Sequence, residues 1–540
     1  MTEFTPARAR HYSIVIAGGG FAGAYCAKYL AKHFGKEASN QAALIADQNV
    51  LTFQPMLAEV VGASLSPLDV VNPLRLFCRG TNVLQGRITE IDLDAKCVTL
   101  EAGRFTPKSS ITFDHLVLAL GSIVDVSHVS GMSEHGYVLK DAWDAVLLRV
   151  ALIERLEEAN LSDDEDTKQR LLTFVVVGGG FSGVETAGQI LDLVTDIHPL
   201  YLNLKKTKPR VVLIHSRDHI LPEIGQKLGD YAQRKLTKRG MEIRLNTRVT
   251  SVTARKVILS NNDIIGTHLV VSTVGNAPHP LIVKLCEKYG LENLKGRIVT
   301  EATMRVEHRG YVWAIGDCAA VPLDGVLSCP PTAQFALRQG IQLAFNLKQS
   351  LLNGSLKTFQ FKAQGQLAAI GHRIAVADVM GFQFSGFFAW LIWRTIYASK
   401  IPGIQRKIRV VIDWTLDLFF SREISVIQAE SKNLIQDMHF EKGDLLLQEN
   451  DSYESFYIIK RGSLDCFRGT ALIKKLGDGE ALGGKQFAEN DRWTVRAFAT
   501  EPSTVIAVRR QVWDTLLTAK AIAEKFRDPA PTVAASIGTG

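Results

Sequence analysis

Ser13-Ile14-Val15-Ile16-Ala17-Gly18-Gly19-Gly20-Phe21-Ala22-Gly23 decides how the first part of this chain folds. A short apolar run passes into G-x-G-x-x-G, and a helical pattern follows. In that spacing Gly18 permits the tight turn, Gly20 lets a pyrophosphate approach the backbone, and Gly23 lets the helix pack closely on the strand. Phe21 and Ala22 open the helix, whose free N–H groups and positive dipole end favour phosphate. A second apolar strand, Ala42 to Ala46, ends at Asp47, where a carboxylate can accept both hydroxyls of an adenosine ribose.

The same unit returns later. Phe174-Val175-Val176-Val177 leads into Gly178-Gly179-Gly180-Phe181-Ser182-Gly183 and a second helix. One fingerprint alone is a weak signal, since a glycine turn between strand and helix also serves structure. Two in one chain, each between a strand and a helix, predict two Rossmann-like dinucleotide-binding units and an α/β fold, with Gly178, Gly180 and Gly183 repeating the roles of the first set. A third element, Tyr311-Val312-Trp313-Ala314-Ile315-Gly316-Asp317-Cys318-Ala319, reads as a buried strand closing on Gly316-Asp317 before another helix. Asp317 would bind a flavin's ribityl hydroxyl there, and the helix start would face phosphate.

Bulk properties bound the rest. At 540 residues the chain exceeds one hydrophobic core, and 46% hydrophobic with 22% charged residues describes packed globular domains. A formal charge of +7 is too small to argue for nucleic acid, though it favours resting on an anionic bilayer. No apolar run reaches the ~20 residues of a spanning helix, and Met1 to Arg10 lacks the apolar core of a signal peptide. The expected location is therefore the cytoplasmic side of the cell membrane, as a peripheral protein. Cys26, Cys78, Cys97, Cys286, Cys318, Cys329 and Cys466 show no C-x-x-C and no metal-ligand spacing. They read as small buried hydrophobes, with no metal site.

Phe113-Asp114-His115-Leu116-Val117-Leu118-Ala119-Leu120-Gly121, Val271-Ser272-Thr273-Val274-Gly275 and the Gly316-Asp317 strand stand in the order found in two-dinucleotide-binding flavoproteins, which this region resembles. The resemblance implies FAD on the first unit and NADH or NADPH on the second, with hydride transfer between them. It adds Gly121, Gly275 and Gly316 to the cofactor-binding set. Disulfide reductases and sulfide oxidases of this group need cysteines after the first unit. Here that region reads Leu51-Thr52-Phe53-Gln54-Pro55-Met56-Leu57-Ala58-Glu59-Val60, without one.

That stretch, with Gln54, resembles the type II NADH dehydrogenases, which are non-pumping NADH:quinone oxidoreductases. So does Pro330-Pro331-Thr332-Ala333-Gln334-Phe335-Ala336-Leu337-Arg338-Gln339-Gly340. The resemblance implies that Ala333 and Gln334 lie against the flavin beside a quinone pocket, with Gln334 taking part in catalysis. It also implies that Glu185, in G-G-G-x-x-G-x-E, positions the nicotinamide or handles a proton. Gly365 to Gly371 and Phe384 to Arg394 resemble the family's membrane-docking end. Trp390, Trp393, Tyr397 and Trp414 are expected at the interface, with Lys400, Arg406, Lys407 and Arg409 toward headgroups. Arg338 and Gln364 depart from the family's pattern where the quinone would lie. The expected partners are a quinone, a membrane surface and, possible for such a chain, a second copy as a homodimer. A soluble FAD-dependent reductase or oxidase with another acceptor is the alternative, and a sensor with little turnover is a third reading that the intact glycine loops oppose.

After about residue 432 short strands and glycine turns suggest a small β-roll. Phe440-Glu441-Lys442-Gly443-Asp444, Glu449-Asn450-Asp451 and Phe456-Tyr457-Ile458-Ile459 resemble cyclic nucleotide-binding domains. Where that family carries its ribose-binding Glu and phosphate-binding Arg, this chain has Gly484 and Asp491, so the fold is expected without the nucleotide. The expected domains are 11–125 and 281–375 for FAD, 126–280 for NAD(P)H, 376–428 as a helical membrane-docking segment, 435–518 as the β-roll and 519–540 as a tail.

The reductant is read from the strand Arg210 to Ile214. An NADH site should close it with a carboxylate, which accepts the 2′-hydroxyl and repels a 2′-phosphate. His215-Ser216-Arg217 follows instead. His215 brings no fixed negative charge and Arg217 can pair with phosphate, so both are expected at the nucleotide and NADPH is expected to serve at least comparably to NADH.

Overall fold

The computed structural model describes residues 10–35, 38–101, 103, 106, 108–323, 328–363, 365–425, 435–449, 451, 453, 455–483, 488–489 and 492–509. They fall into two compact units. The first holds residues up to 126 with 137–247 and 271–424, and the second holds 127–136, 248–270 and the chain from 425.

In the first unit β1 (Arg10–Ala17) runs into α1 (Phe21–Phe34), and β2 (Ala42–Ala46) returns parallel to β1. Ile14 to Ala17 and all of β2 are buried, the continuous apolar run of a parallel strand covered on both faces. A short helix, α2 (Leu57–Val61), follows, and β3 (Ser109–Leu118) pairs parallel with β1 on its other side. In space the seven-stranded sheet runs Asn82–Gln85, β2, β1, β3, Cys97–Glu101, Arg87–Asp92, with one later strand added beside β3.

α3 (Ala142–Leu161) opens on a capping box: the Asp141 side chain accepts from the N–H groups of Trp143 and Asp144, and Asp144 returns the bond to Asp141. Such a cap stabilises a helix start by about 1 kcal/mol and fixes the residue before it, Lys140. β4 (Thr173–Val177), α4 (Phe181–Ile197) and β5 (Arg210–Ile214) then repeat the first motif, with β4 central in a five-stranded sheet. The added strand beside β3 is β6 (Val312–Ala314), and α5 (Ala333–Leu351) packs along α1. Gly340 permits that approach, because a Cβ there would stand 2.3 Å from the Ala22 carbonyl oxygen.

The helix expected directly after Asp317 is not there. β6 runs instead into one tight turn, Gly316–Cys318, and the next helix is α5. Gly316 lies at φ +75°, and its N–H donates to Gln339 Oε1 on α5, so the chain turns away before a helix can form. Arg297 holds the turned segment by donating to the carbonyls of Ala319 and Cys329.

The segment 376–428 is only partly helical. β7 (Gly365–Ala369), β8 (Ala375–Val379) and β9 (Phe382–Gly386) form an antiparallel sheet, and helix starts at α6 (Phe387–Lys400) and resumes at α7 (Ile404–Leu416). The aromatics expected at a membrane surface face inward. Trp390, Trp393 and Trp414 are buried, Tyr397 packs 4.7 Å from Trp393, and the Arg394 guanidinium lies over Trp390 and Trp414. Flat rings that stack on each other and on a cation gain more there than at a wet surface. The exposed apolar residues are others: Phe387, Phe388 and Leu391 on α6, Ile404, Ile408, Val411 and Ile412 on α7, then Phe419 and Phe420. On α7 they recur at helical spacing opposite the buried Val410 and Trp414. Among the described residues no helix is long and apolar enough to cross a membrane.

The second unit is built on two four-stranded antiparallel sheets. One runs Ile435–Phe440, Ser503–Arg509, Ser455–Arg461, Ala481–Leu482, and the other Leu445–Leu447, Arg496–Ala499, Leu464–Arg468, Ala471–Leu476. Phe440, Ile459, Leu464, Leu476, Trp493 and Val505 fill the space between them. Trp493 is buried and Arg492 exposed, as on the two faces of a strand, while Gly484 and Asp491 lie outside the described residues, as do Gln364 and the tail 519–540. Residues 127–136 and 248–270, expected with the nucleotide domain, group with this roll. Ser251 Oγ donates to Glu441 Oε1 at 2.6 Å, Lys256 pairs with Asp444, and the His439 N–H donates to His135 Nε2 at 2.7 Å.

Candidate active site

Both glycine loops have the geometry that phosphate contact needs. Gly18 and Gly178 each lie at φ +118°, where L side chains are strained. A Cβ on Gly23 would stand 1.9 Å from the Gly18 carbonyl oxygen, and one on Gly183 would stand 1.8 Å from that of Gly178. At Gly20 nothing lies within 4 Å, so a ligand can come close to the backbone. Neither α1 nor α4, nor α5 after Thr332, has a side chain capping its first N–H groups. Three helix starts therefore keep donors for anionic groups.

Beside the second loop, with Phe181 and Ser182 in its wall, lies a cavity of about 320 Å³ also lined by Gln54, Lys140, Glu185, Asp317, Ala333 and Tyr397. It draws on both Rossmann units. The short ladder Ser122–Val124 with Asn276–Pro278 follows Gly121 (φ +68°) and Gly275 (φ +102°), and the Asp125 N–H donates to the Gly275 carbonyl. One polar chain crosses the cavity wall: Lys140 Nζ donates to Ser122 Oγ (3.2 Å), which donates to Asp317 Oδ2 (3.3 Å). Gln54 Nε2 donates to the Lys140 carbonyl (3.0 Å). Gln334 donates to the Gly365 carbonyl and keeps its Oε1 buried without a partner, an acceptor left for a ligand's donor.

Glu185 dominates the electrostatics. It is surrounded by protein and keeps accessible surface only in part, at the cavity. Burial pushes its carboxyl up to about 8 against the Ala369 N–H, which donates to Oε1 at 3.0 Å, and Glu59 pushes the same way as burial. At neutral pH the group is an acid that holds its proton. Tyr397 is also driven upward by burial and by Glu185, and stays a phenol.

Of the residues expected from sequence, Gln54, Glu185, Asp317 and Ala333 line the cavity, and Gln334 follows Ala333 on α5; the glycines of the two loops are not among its lining. Phe21 lies at the start of α1 with its ring 6.0 Å from Phe53. Asp47 is exposed beyond β2. His215 differs from expectation. Its Nδ1 accepts the Gly179 N–H at 3.0 Å, and its ring would meet a Cβ on Gly179 at 2.5 Å, so it braces the loop from below. Burial, then Arg217, lowers its affinity for a proton, which leaves a neutral ring whose buried Nε2 has no partner. Lys140 and Tyr397 are cavity residues that sequence reasoning missed. The Asp141-x-x-Asp144 box could have marked Lys140 as the residue before a fixed helix start. Among the described residues no cluster suits a metal ion.

The chain matches the pyridine nucleotide-disulphide oxidoreductase family over residues 12–340, the NDH2 C-terminal domain over 363–423 and the cyclic nucleotide-binding domain over 437–520. It is 31% identical over 425 residues to type II NADH:quinone oxidoreductase Ndh of Mycobacterium tuberculosis, covering 76% of this chain and 89% of that protein. It is 29% identical over 448 residues to the internal alternative NAD(P)H-ubiquinone oxidoreductase A1 of Solanum tuberosum, covering 77% and 88%. In fold it is similar to NDH2 from Plasmodium falciparum in complex with NADH, with a TM-score of 0.70 at 19% identity over 77% of this chain and 100% of that one. With its paired glycine loops and this likeness over three quarters of its length, the chain belongs to the type II NADH:quinone oxidoreductase family.

Proposed function

We propose that this chain is an FAD-dependent NAD(P)H dehydrogenase that reduces a membrane quinone and pumps no protons. The observation that carries the reading is a cavity lined from both Rossmann units by Gln54, Asp317 and Ala333 on one side and Phe181 and Glu185 on the other, with a proton-holding Glu185 in its wall. When bound, FAD would supply a two-electron carrier between a nicotinamide hydride donor and a quinone. Gly18, Gly20 and Gly23, with Asp47, would hold its ADP end, Asp317 its ribityl chain, and Ala333 and Gln334 its ring. Gly178, Gly180 and Gly183 would hold the nucleotide. The uncapped N–H groups at the start of α5 and the Lys140 ammonium face the space where negative charge develops. Glu185 holds a proton at its carboxyl for a quinone oxygen, and Tyr397 closes the cavity toward α6.

The purified protein is expected to be yellow, to bleach with NADH or NADPH in the absence of oxygen, and to regain its colour when a quinone analogue is added. A folded, colourless protein, or one that recolours with oxygen or a protein acceptor but not with quinone, would refute the reading.

The site of action is the cytoplasmic face of the cell membrane, as a peripheral protein and as a homodimer. The exposed apolar face of α6 and α7 supports the membrane part, because contiguous apolar surface beside Lys400, Lys407 and Arg409 suits a bilayer interface. Serine at Ile408, Ile412 and Phe419 is expected to move the protein from sedimenting anionic vesicles to the supernatant with its flavin intact. Unchanged sedimentation would place the anchor elsewhere.

A further inference from the structure

Reducing a quinone to a quinol takes two electrons and two protons. The hydride brings both electrons and one proton, so one proton per turnover must come from water. Glu185 lines the first cavity, and a proton that it gives up has to be replaced.

Behind it lies a second cavity of about 660 Å³ with a strongly charged lining that includes Asp192, Asp417, Arg239, Arg394 and Arg422. α2, α4 and β7 form the wall between the two. On α2, Ala58 lines the first cavity and Glu59 the second. On α4, Glu185 lines the first, and Gln189, one turn on, lines the second. On β7, Leu367 and Ala369 divide in the same way, and Ala369 is the donor to Glu185.

Glu59 is 4% exposed, and its Oε2 accepts the indole N–H of Trp414 on α7. Among the described residues no cation stands within ion-pair distance of it. Three arginines of the second cavity are held by aspartates, Arg239 and Arg422 by Asp192 and Arg394 by Asp417 at 3.9 Å, and a fourth, Arg373, donates to the Leu418 carbonyl. The charged groups facing Glu59 are Arg394 from α6, Asp417 and Arg422 beyond α7, and Glu185 from α4. Burial raises its proton affinity more than Arg394 and Trp414 lower it. Burial of a carboxyl favours its protonated form.

We propose that Glu59 relays protons from the charged second cavity to Glu185, so that the proton consumed in each turnover enters through that cavity and not with the quinone. Glu185 gives its proton to a quinone oxygen, Glu59 reprotonates Glu185, and water in the second cavity restores Glu59. The two electrons and the other proton come from the hydride, so the step balances. The inference rests on the quinone reading.

The test uses the holoenzyme and its Glu59→Gln and Glu59→Asp variants. Bleaching by NADH or NADPH and recolouring by a water-soluble quinone are timed separately, in light and heavy water and across pH. Glu59→Gln is expected to bleach at the wild-type rate and to recolour about 100-fold more slowly, within the range that positioned proton transfer contributes. Its heavy-water effect should grow, and Glu59→Asp should recover part of the rate. Infrared spectra of the wild type should show, beside the band of Glu185, a second protonated-carboxyl band at neutral pH that Glu59→Gln lacks. Should Glu59→Gln fail to hold flavin, a shift of that second band between the wild type and Glu59→Asp and slow recolouring of Glu59→Asp decide the matter. Recolouring and isotope effect unchanged in both variants, or no such band, would overturn the relay. A wild type that bleaches but never recolours with quinone would instead overturn the quinone reading beneath it.

Discussion

The two halves of the first unit carry the same loop, Gly18-Gly19-Gly20-Phe21-Ala22-Gly23 and Gly178-Gly179-Gly180-Phe181-Ser182-Gly183, and they part company just outside it. Two residues past the last glycine, the first half has Tyr25, whose ring packs 5.0 Å from Phe77. The second half has Glu185, which reaches the cavity. At the end of the neighbouring strand the backbone fixes the match: Gly18 N–H donates to the Ile45 carbonyl and Gly178 N–H to that of Ile214. Ala46 therefore corresponds to His215, and Asp47 to Ser216. Each of the first pair closes on the loop's middle glycine, Ala46 at 2.6 Å from a Cβ on Gly19 and His215 at 2.5 Å from one on Gly179. The shared residues build the same glycine turn and helix start twice, each with the form of a cradle, and the unshared residues set the two apart.

The harshest way to break the comparison is to add one methyl group to each half. In Gly23→Ala and Gly183→Ala the new Cβ meets a backbone oxygen, which cannot swing aside as a side chain does. Overpacking of this kind costs about 1 to 3 kcal/mol. If the halves divide their ligands as proposed, Gly23→Ala emerges with little or no flavin. Gly183→Ala stays yellow but bleaches only at much higher NADH or NADPH. Flavin content by absorbance and bleaching against nucleotide concentration measure the two effects, and a yellow Gly23→Ala beside a colourless Gly183→Ala would reverse the assignment.

The cradles were legible in the sequence because their chemistry is backbone chemistry, and glycine spacing reports backbone directly. Strand and helix around each loop follow from continuous apolar runs, which a doubly covered parallel sheet requires. Side-chain direction was not legible in the same way. Trp390, Trp393 and Trp414 have the composition of an interface, yet they pack inward around Arg394, and isoleucines and phenylalanines take the outer face. The turn at Gly316 replaced an expected helix because Gln339, on α5, takes its N–H, a contact across the fold. Tyr397 joined the cavity for the same kind of reason. The pairing of 248–270 with the β-roll depends on Lys256 and Asp444, distant in sequence and visible only once folded.

The smallest expected effect concerns the reductant and sharpens the comparison by one residue. His215 had been the position at which a carboxylate would select NADH, but its ring is engaged with Gly179 and its sequence counterpart is Ala46. The counterpart of Asp47 is Ser216, which is exposed, with Arg217 exposed beside it. A hydroxyl followed by a guanidinium can accept a 2′-phosphate, whereas a carboxylate in the first place would repel it and accept the free 2′-hydroxyl. The hypothesis is that the wild type uses NADPH at least comparably to NADH. Ser216→Asp, which copies the first half into the second, is expected to raise the NADH-to-NADPH ratio of kcat/KM about tenfold, equivalent to ~1.4 kcal/mol. Arg217→Ala should move the ratio the same way by weakening NADPH alone. His215→Ala is the control: it leaves the Gly179 N–H without its acceptor, costs about 1 kcal/mol, and lowers kcat/KM for both nucleotides alike. A wild type that strongly favours NADH, or a ratio that responds to His215 and not to Ser216, would show that the two strand ends are not read one residue apart.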